Sequence, residues 1–236
     1  MTLSSTVTAA DKPAQLLVWT DIALEHEDDF NEWYDREHMQ ERIAIPGFTL
    51  ARRFHALTGP RRYLALYRTE NLEVFRSEVY RRIFSNQTAW SNRVFERMVD
   101  TVRCVGRIES QYGEGEGRSL SLVKVPAVRL DTPAVAGSLD AQLREAFKRP
   151  GVVTGAVMRS EPSLSGPLVG DAAAQPASTA VIWLEGSSAD ALVREMREIA
   201  RIVDCEPSDV ATFDLLWALR RSPDAATIAE KLGTRT

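Results

Sequence analysis

Residues 28–54, DDFNEWYDREHMQERIAIPGFTLARRF, contain an amphipathic helix, a Pro-Gly stop and an arginine-bearing strand. Phe30, Trp33, Tyr34, Glu37, His38 and Glu41 recur at offsets of three and four. One helical face is therefore aromatic at its start and ionisable at its end. The acids Glu27, Asp28 and Asp29 stand where the positive end of the helix dipole favours them. Pro46-Gly47 stops the helix, and TLARRFHA alternates as a strand with Ala51, Arg53 and His55 on one face.

Working outward, QLLVWT at Gln15 to Thr20 is apolar and β-prone and predicts a preceding strand. Thr58-Gly59-Pro60 makes a turn into RRYLALYRT, the second arm of an antiparallel hairpin. A helix follows from Leu72 to Val79, is interrupted at the polar Ser85 to Thr88, and resumes through Trp90 and Val94; TVRCVGRIE is a fourth strand. The order β-α-β-β-α-β is that of a ferredoxin-like unit, a four-stranded antiparallel sheet with both helices on one face. Tyr112 to Arg118, YGEGEGR, reads as a flexible linker.

The same order returns beyond it: SLSLVKV, a helix over Leu139 to Lys148, Pro150-Gly151, VTGAVMRS, STAVIWLEG, a helix over Ala189 to Val203 and ATFDLLWALRR. A short helix is expected over Ala225 to Leu232. The fold class is therefore α+β, with tandem ferredoxin-like repeats at residues 15–110 and 118–221. A lone ferredoxin-like sheet leaves one apolar face bare. The two repeats are expected to pack sheet to sheet as an intramolecular α+β barrel with helices outside.

The 236 residues are 44% hydrophobic and carry a formal net charge of −4, enough for a full core and unsuited to general affinity for nucleic acid or anionic membranes. Cys104 and Cys205 form neither a disulfide framework nor a zinc motif. With no apolar stretch long enough to span a bilayer and no leader-like N-terminus, a cytoplasmic protein is the expectation. No GxGxxG, P-loop, GxSxG or HExxH pattern occurs, and His26, His38 and His55 lack metal-ligand spacing, so no metal or cofactor is expected.

Candidate chemistry lies in the first half, because the counterparts of Trp33-Tyr34 and His38 in the second are Gly137-Ser138 and Gln142. His38 beside Glu41 reads as an acid–base group at a cavity edge, or as a histidine meeting the helix C-terminal carbonyls. Tyr34 reads as a ligand contact or as core. Of Arg52 and Arg53, whichever points inward needs an anion: Glu37, Glu41 or a ligand carboxylate. Asn86-Gln87-Thr88 ahead of Trp90 reads as a helix cap or a cavity mouth.

Trp33-Tyr34, Glu37-His38, Glu41-Arg42, Ile45-Pro46-Gly47-Phe48, the strand YLALY and the stretch Asn86 to Trp90 together resemble the EthD-like branch of the dimeric α+β barrel superfamily. The resemblance covers roughly Gln15 to Glu109. It implies a pocket between sheet and helices, with His38 as the matching histidine. Two repeats in one chain depart from the usual single-repeat dimer, and leave a homodimer open. The expected function is a cofactor-free small-molecule enzyme performing proton transfer or oxygenation on a carbonyl or aromatic compound. His38 would be the acid–base group, and Tyr34, Trp33, Arg53, Asn86 and Trp90 the substrate contacts. The alternative is a non-catalytic binding or interaction module; haem binding is a third, minor reading.

Overall fold

The computed structural model describes residues 12–166 and 176–222. The expected helix over Ala225 to Leu232 lies outside them. The first half runs β1 (Ala14–Ile22), α1 (Glu27–Trp33), a π-helical turn (Tyr34–His38), α2 (Met39–Ala44), β2 (Phe48–Thr58), β3 (Tyr63–Thr69), α3 (Glu78–Ser85), α4 (Ala89–Arg97) and β4 (Met98–Tyr112). The second runs β5 (Ser119–Pro126), α5 (Pro133–Phe147), β6 (Val152–Ser160), β7 (Thr179–Gly186), α6 (Ala189–Ile202) and β8 (Ala211–Arg220).

All strand pairs are antiparallel, and the strands close in the order β1-β3-β2-β8-β5-β7-β6-β4. Each half contributes a four-stranded ferredoxin-like sheet, and two seams join them: β2 to β8 and β4 to β6. The α+β barrel expected from the sequence is thus present, with its sheets fused edge to edge. Edge pairing satisfies the backbone groups that each open sheet would leave bare.

The two halves share more than element order. Gly47 and Gly151 both have positive φ, +88° and +91°, and each lets the chain reverse from helix into strand. Directly after each comes a β-bulge, between Phe48 and Leu50 in one half and between Val152 and Thr154 in the other. Alternation then sends Leu17, Phe54, Leu66, Leu122, Trp183 and Phe213 into the barrel lumen. The opposite face packs on the helices: Leu16, Val18 and Tyr67 against Phe30, Trp33 and Tyr80 in the first half, and Val123, Val157 and Ile182 against Leu143, Met196 and Ile199 in the second.

Residues 113–118 depart from the expected flexible linker. Strand β4 continues to Tyr112, the Gly115 carbonyl accepts from Thr154 Oγ1, and the Gly117 N–H donates to Glu185 Oε2 at 3.3 Å. A glycine-rich composition permits freedom, but here the segment carries the chain from the last strand of one half to the first of the other and is tied to both β6 and β7.

Arg52 points into the lumen, where it meets Glu185 of β7 rather than Glu37 or Glu41. The pair is bidentate, with Nη2 to Oε1 at 2.9 Å and a second bond from Nη1 to Oε2, and both side chains are almost wholly buried. Trp183 Nε1 also donates to Glu185 Oε1 at 3.0 Å. Burial works against the Arg52 charge, yet the Glu185 carboxylate outweighs it and holds the guanidinium pKa above its ordinary value. Removing one buried partner strands the other, so Glu185→Leu is expected to cost ~3–5 kcal/mol in urea unfolding, and Arg52→Met in addition to recover at least half of it. A double variant as unstable as the single would show that the pair is not the source of the loss.

Candidate functional site

The helix predicted across residues 28–42 is interrupted by its π turn, and that turn builds the site. The wider turn brings Trp33 and His38, five residues apart, toward one side of the helix, where a regular α-helix would set them well apart around its axis. Their rings lie 4.0 Å apart between centroids, tilted by 32°. Tyr34, Tyr67 and Phe95 meet the imidazole edge-on at 5.3, 6.2 and 5.9 Å. The turn is held from outside: Thr88 Oγ1, the N-cap of α4, donates to Glu37 Oε1 at 2.6 Å, Ser91 Oγ donates to the same oxygen at 3.2 Å, and Trp33 Nε1 donates to Ser91 Oγ at 3.0 Å.

His38 faces a cavity of about 20 Å³ between sheet and helices, walled by Leu16 and Val18 of β1, Tyr67 of β3, Arg42, Arg103, Tyr80, Phe84 and Phe95. Arg103 is held there at both terminal nitrogens, with Nη2 donating to Tyr80 Oη at 2.9 Å and Nη1 to the Leu164 carbonyl at 2.6 Å. Three other groups are short of partners. His38 Nδ1 and Arg42 Nη1 are buried without a hydrogen-bond partner, although Arg42 Nη2 donates to Gln87 Oε1 at 2.9 Å, and Tyr67 Oη is buried with no partner but the Tyr34 hydroxyl. Buried polar atoms are normally satisfied, and each one left unpaired costs about 1–3 kcal/mol. With all three side chains on the wall of one cavity that has room for about one water, a polar occupant is expected there.

Burial lowers the His38 pKa well below 6.5, and the positive charges of Arg42 and Arg53 push it the same way. The imidazole is therefore neutral at neutral pH. Burial raises the phenol of Tyr67 well above its ordinary value, and that of Tyr34 is raised for the same reason. The wall of one cavity therefore offers a neutral proton acceptor, a neutral phenol and a guanidinium.

The other residues singled out in the sequence are distributed around this cavity rather than gathered in it. Trp33 and Tyr34 back the imidazole. Arg53 is on the same face of β2 as the helices but lies beyond Tyr34, its guanidinium carbon 4.2 Å from that ring's centroid, and lines a separate cleft with Asn31 and Asp35. Asn86 is exposed and caps α3, its amide donating to the Arg82 carbonyl at 2.8 Å. Trp90 packs half-buried against the first-half core away from this cavity, Nε1 donating to Asp29 Oδ1 at 2.9 Å. Arg42 and Tyr67 belong to the stretches that carry the resemblance, but the sequence assigns neither a role at a site. Arg42 lies one turn beyond His38, and Tyr67 alternates with Tyr63 and Ala65; both patterns are legible, but neither distinguishes a cavity wall from core. Gln142, the counterpart of His38, bridges α5 to α6 through Glu195 at 3.1 Å. Among the described residues no group of three or more His, Cys, Asp or Glu side chains could hold a metal ion, and no helix is long and apolar enough to cross a membrane.

A depressed histidine pKa links the site to stability. Between the folded pKa and 6.5 the unfolded chain binds the proton and the folded chain does not, so stability rises with pH through that window and is lost as pH falls through it. NMR titration is expected to find His38 neutral at pH 6, and His38→Phe to remove part of the acid sensitivity of unfolding. A His38 that titrates near its ordinary value would contradict the buried, unpartnered setting.

No family model matches the chain, and no curated protein matches it. Solved structures do. An anthrone oxidase-like protein superposes with a TM-score of 0.61 at 9% identity over 90% of this chain and 94% of that one. A monooxygenase-like protein from Fusobacterium nucleatum gives 0.54 at 8% identity over 89% and 95%, and one from Lactobacillus acidophilus 0.53 at 12% identity over 89% and 97%. At these identities the likeness is one of fold: the chain shares the ferredoxin-like α+β barrel of monooxygenase-like proteins.

Proposed function

We propose that the chain is a small-molecule enzyme of EthD-like type, acting without a resident cofactor on a carbonyl or phenolic aromatic compound at the His38 cavity. The observation that carries this reading is that His38, Arg42 and Tyr67 line one cavity, with His38 Nδ1 and Arg42 Nη1 buried and unpartnered and Tyr67 Oη left with no partner but the Tyr34 hydroxyl. Neutral His38 takes a proton from an activated C–H or O–H of the substrate. The oxyanion so formed lies against the Arg42 guanidinium and accepts from Tyr67. Its charge in turn stabilises the imidazolium, which offsets the low basicity that burial imposes. An electron-rich carbanion or phenolate held in this way is a substrate for dioxygen, and the name of the anthrone oxidase-like neighbour suits that substrate class.

The first half carries the site in this reading and the second closes the barrel, as a tandem repeat that replaces the partner of a dimer. Since one chain completes the barrel, a homodimer is not needed for closure. Two free cysteines, Cys104 and Cys205, suit a reducing, cytoplasmic setting.

At about 20 Å³ the cavity holds a water and not a substrate, so access requires Phe84 and Phe95 to swing aside with α3 and α4. The small volume favours a second reading, a non-catalytic binding module whose polar atoms share one water. Oxygen uptake and product formation with a panel of anthrones, naphthols and 1,3-dicarbonyls separates the two. Loss of the proton acceptor in His38→Ala is expected to lower kcat by roughly 10²–10⁴-fold, and Tyr67→Phe and Arg42→Met to lower it less. Turnover indifferent to His38→Ala overturns the assignment, and binding without turnover supports the second reading.

A further inference from the structure

The seam between β2 and β8 contains a cleft of about 270 Å³, lined by Asn31, Asp35, Arg53, His55, Tyr63 and Trp217 with Leu216 at its rim. It shares no lining residue with the His38 cavity; the Tyr34 ring stands between them. Arg53 is only 2% exposed, and it is under-partnered for a buried charge. Nη2 donates to Asn31 Oδ1 at 2.5 Å, Asp35 Oδ1 is 3.7 Å from Nη1, and Nε has no acceptor. The rings of Tyr34, Phe30 and Tyr63 surround the guanidinium at 4.2, 5.0 and 5.0 Å, which supports a cation but supplies no oxygen. Asp35 is half exposed, and its Oδ1 already accepts from Trp217 Nε1 at 2.8 Å.

The other seam provides an internal comparison. Across β4 and β6 lies a cleft of about 230 Å³ in which Val157 holds the register position of Arg53 and Ser110 that of Trp217. Its wall includes Leu130, Leu139 and Leu143. Barrel closure therefore creates a cleft at each seam, and a cleft alone signifies nothing. What distinguishes the first is a buried arginine where the fold is content with valine, beside an indole, a phenol and an imidazole. A buried guanidinium left short of acceptors costs stability unless something completes its shell.

We propose that the β2–β8 cleft is a binding site for a small aromatic carboxylate, whose carboxylate completes the hydrogen bonding of Arg53 and whose ring lies against Trp217, Tyr63 and His55. The site is separate from the His38 chemistry and stands whether or not that reading does. Asp35 opposes the ligand's charge, which gives the proposal a direction that a neutral or zwitterionic ligand would not share.

Benzoate is the probe, titrated into the full chain and followed by calorimetry and by the indole N–H resonance of Trp217, assigned with Trp217→Phe. Saturable binding that moves this resonance is expected. Asp35→Asn should tighten binding at least threefold. Leu216→Glu, a rim change at a side chain 48% exposed that leaves the core untouched, should weaken it at least threefold. Arg53→Gln should weaken it tenfold or more, provided that its circular dichroism remains native. Absence of saturable binding, indifference to Leu216→Glu, or weaker binding in Asp35→Asn overturns the proposal; benzylamine binding in place of benzoate does so as well.

Discussion

The structure depends on the pairing of four strand edges. A ferredoxin-like sheet ends in two exposed edges, and a chain with two such sheets has four rows of unpaired N–H and C=O groups. Joining β2 to β8 and β4 to β6 removes all four and turns the two inner faces into one lumen. Leu17, Phe54, Leu66, Trp183 and Phe213 fill it from both halves, so neither half keeps its inner apolar face covered without the other. Arg52 and Glu185 span the same lumen from β2 and β7, strands not adjacent in the barrel, and bind the halves through charge as well as area.

Closure also determines where chemistry can sit. With the lumen packed, space for ligands remains between sheet and helices or along the seams. The His38 cavity is of the first kind and the Arg53 cleft of the second. The first takes its form from a helical run after β1 that is not a regular α-helix. Its π turn sets Trp33 and His38 face to face and turns Tyr34 inward between the imidazole and Arg53. Glu37, reached by Thr88 and Ser91 of α4, anchors that turn from outside, so the irregular turn is tied to the helix that covers the cavity.

The contrast between the halves shows what the fold requires and what it merely tolerates. Pro46-Gly47 and Pro150-Gly151, the bulges after them and the two seams recur because chain reversal and closure demand them. The buried histidine, arginines and tyrosine of the first half have no such excuse: at corresponding places Gln142 bridges two helices and Val157 fills apolar space. At these corresponding places the first half buries polar side chains where the second has an apolar or a bridging one, and the proposed sites rest on that contrast.

By itself the amino-acid sequence determined the element order, the alternation that gives each strand two faces, the Pro-Gly reversals and the placing of the ionisable helix face around His38, because each of these is local and follows from a period of two or 3.6 or from a single turn. It also held both readings of Arg52 and Arg53, since alternation says that they point oppositely but not which way. Only the tertiary structure decided that Arg52 enters the lumen to meet Glu185, 133 residues away, that residues 113–118 are tied to both β6 and β7, that Trp90 and Asn86 turn away from the cavity, and that Arg42 and Tyr67 turn toward it. Those outcomes depend on which strand edges meet and on one π turn. Both are settled by contacts between residues distant in the chain, which no local period records.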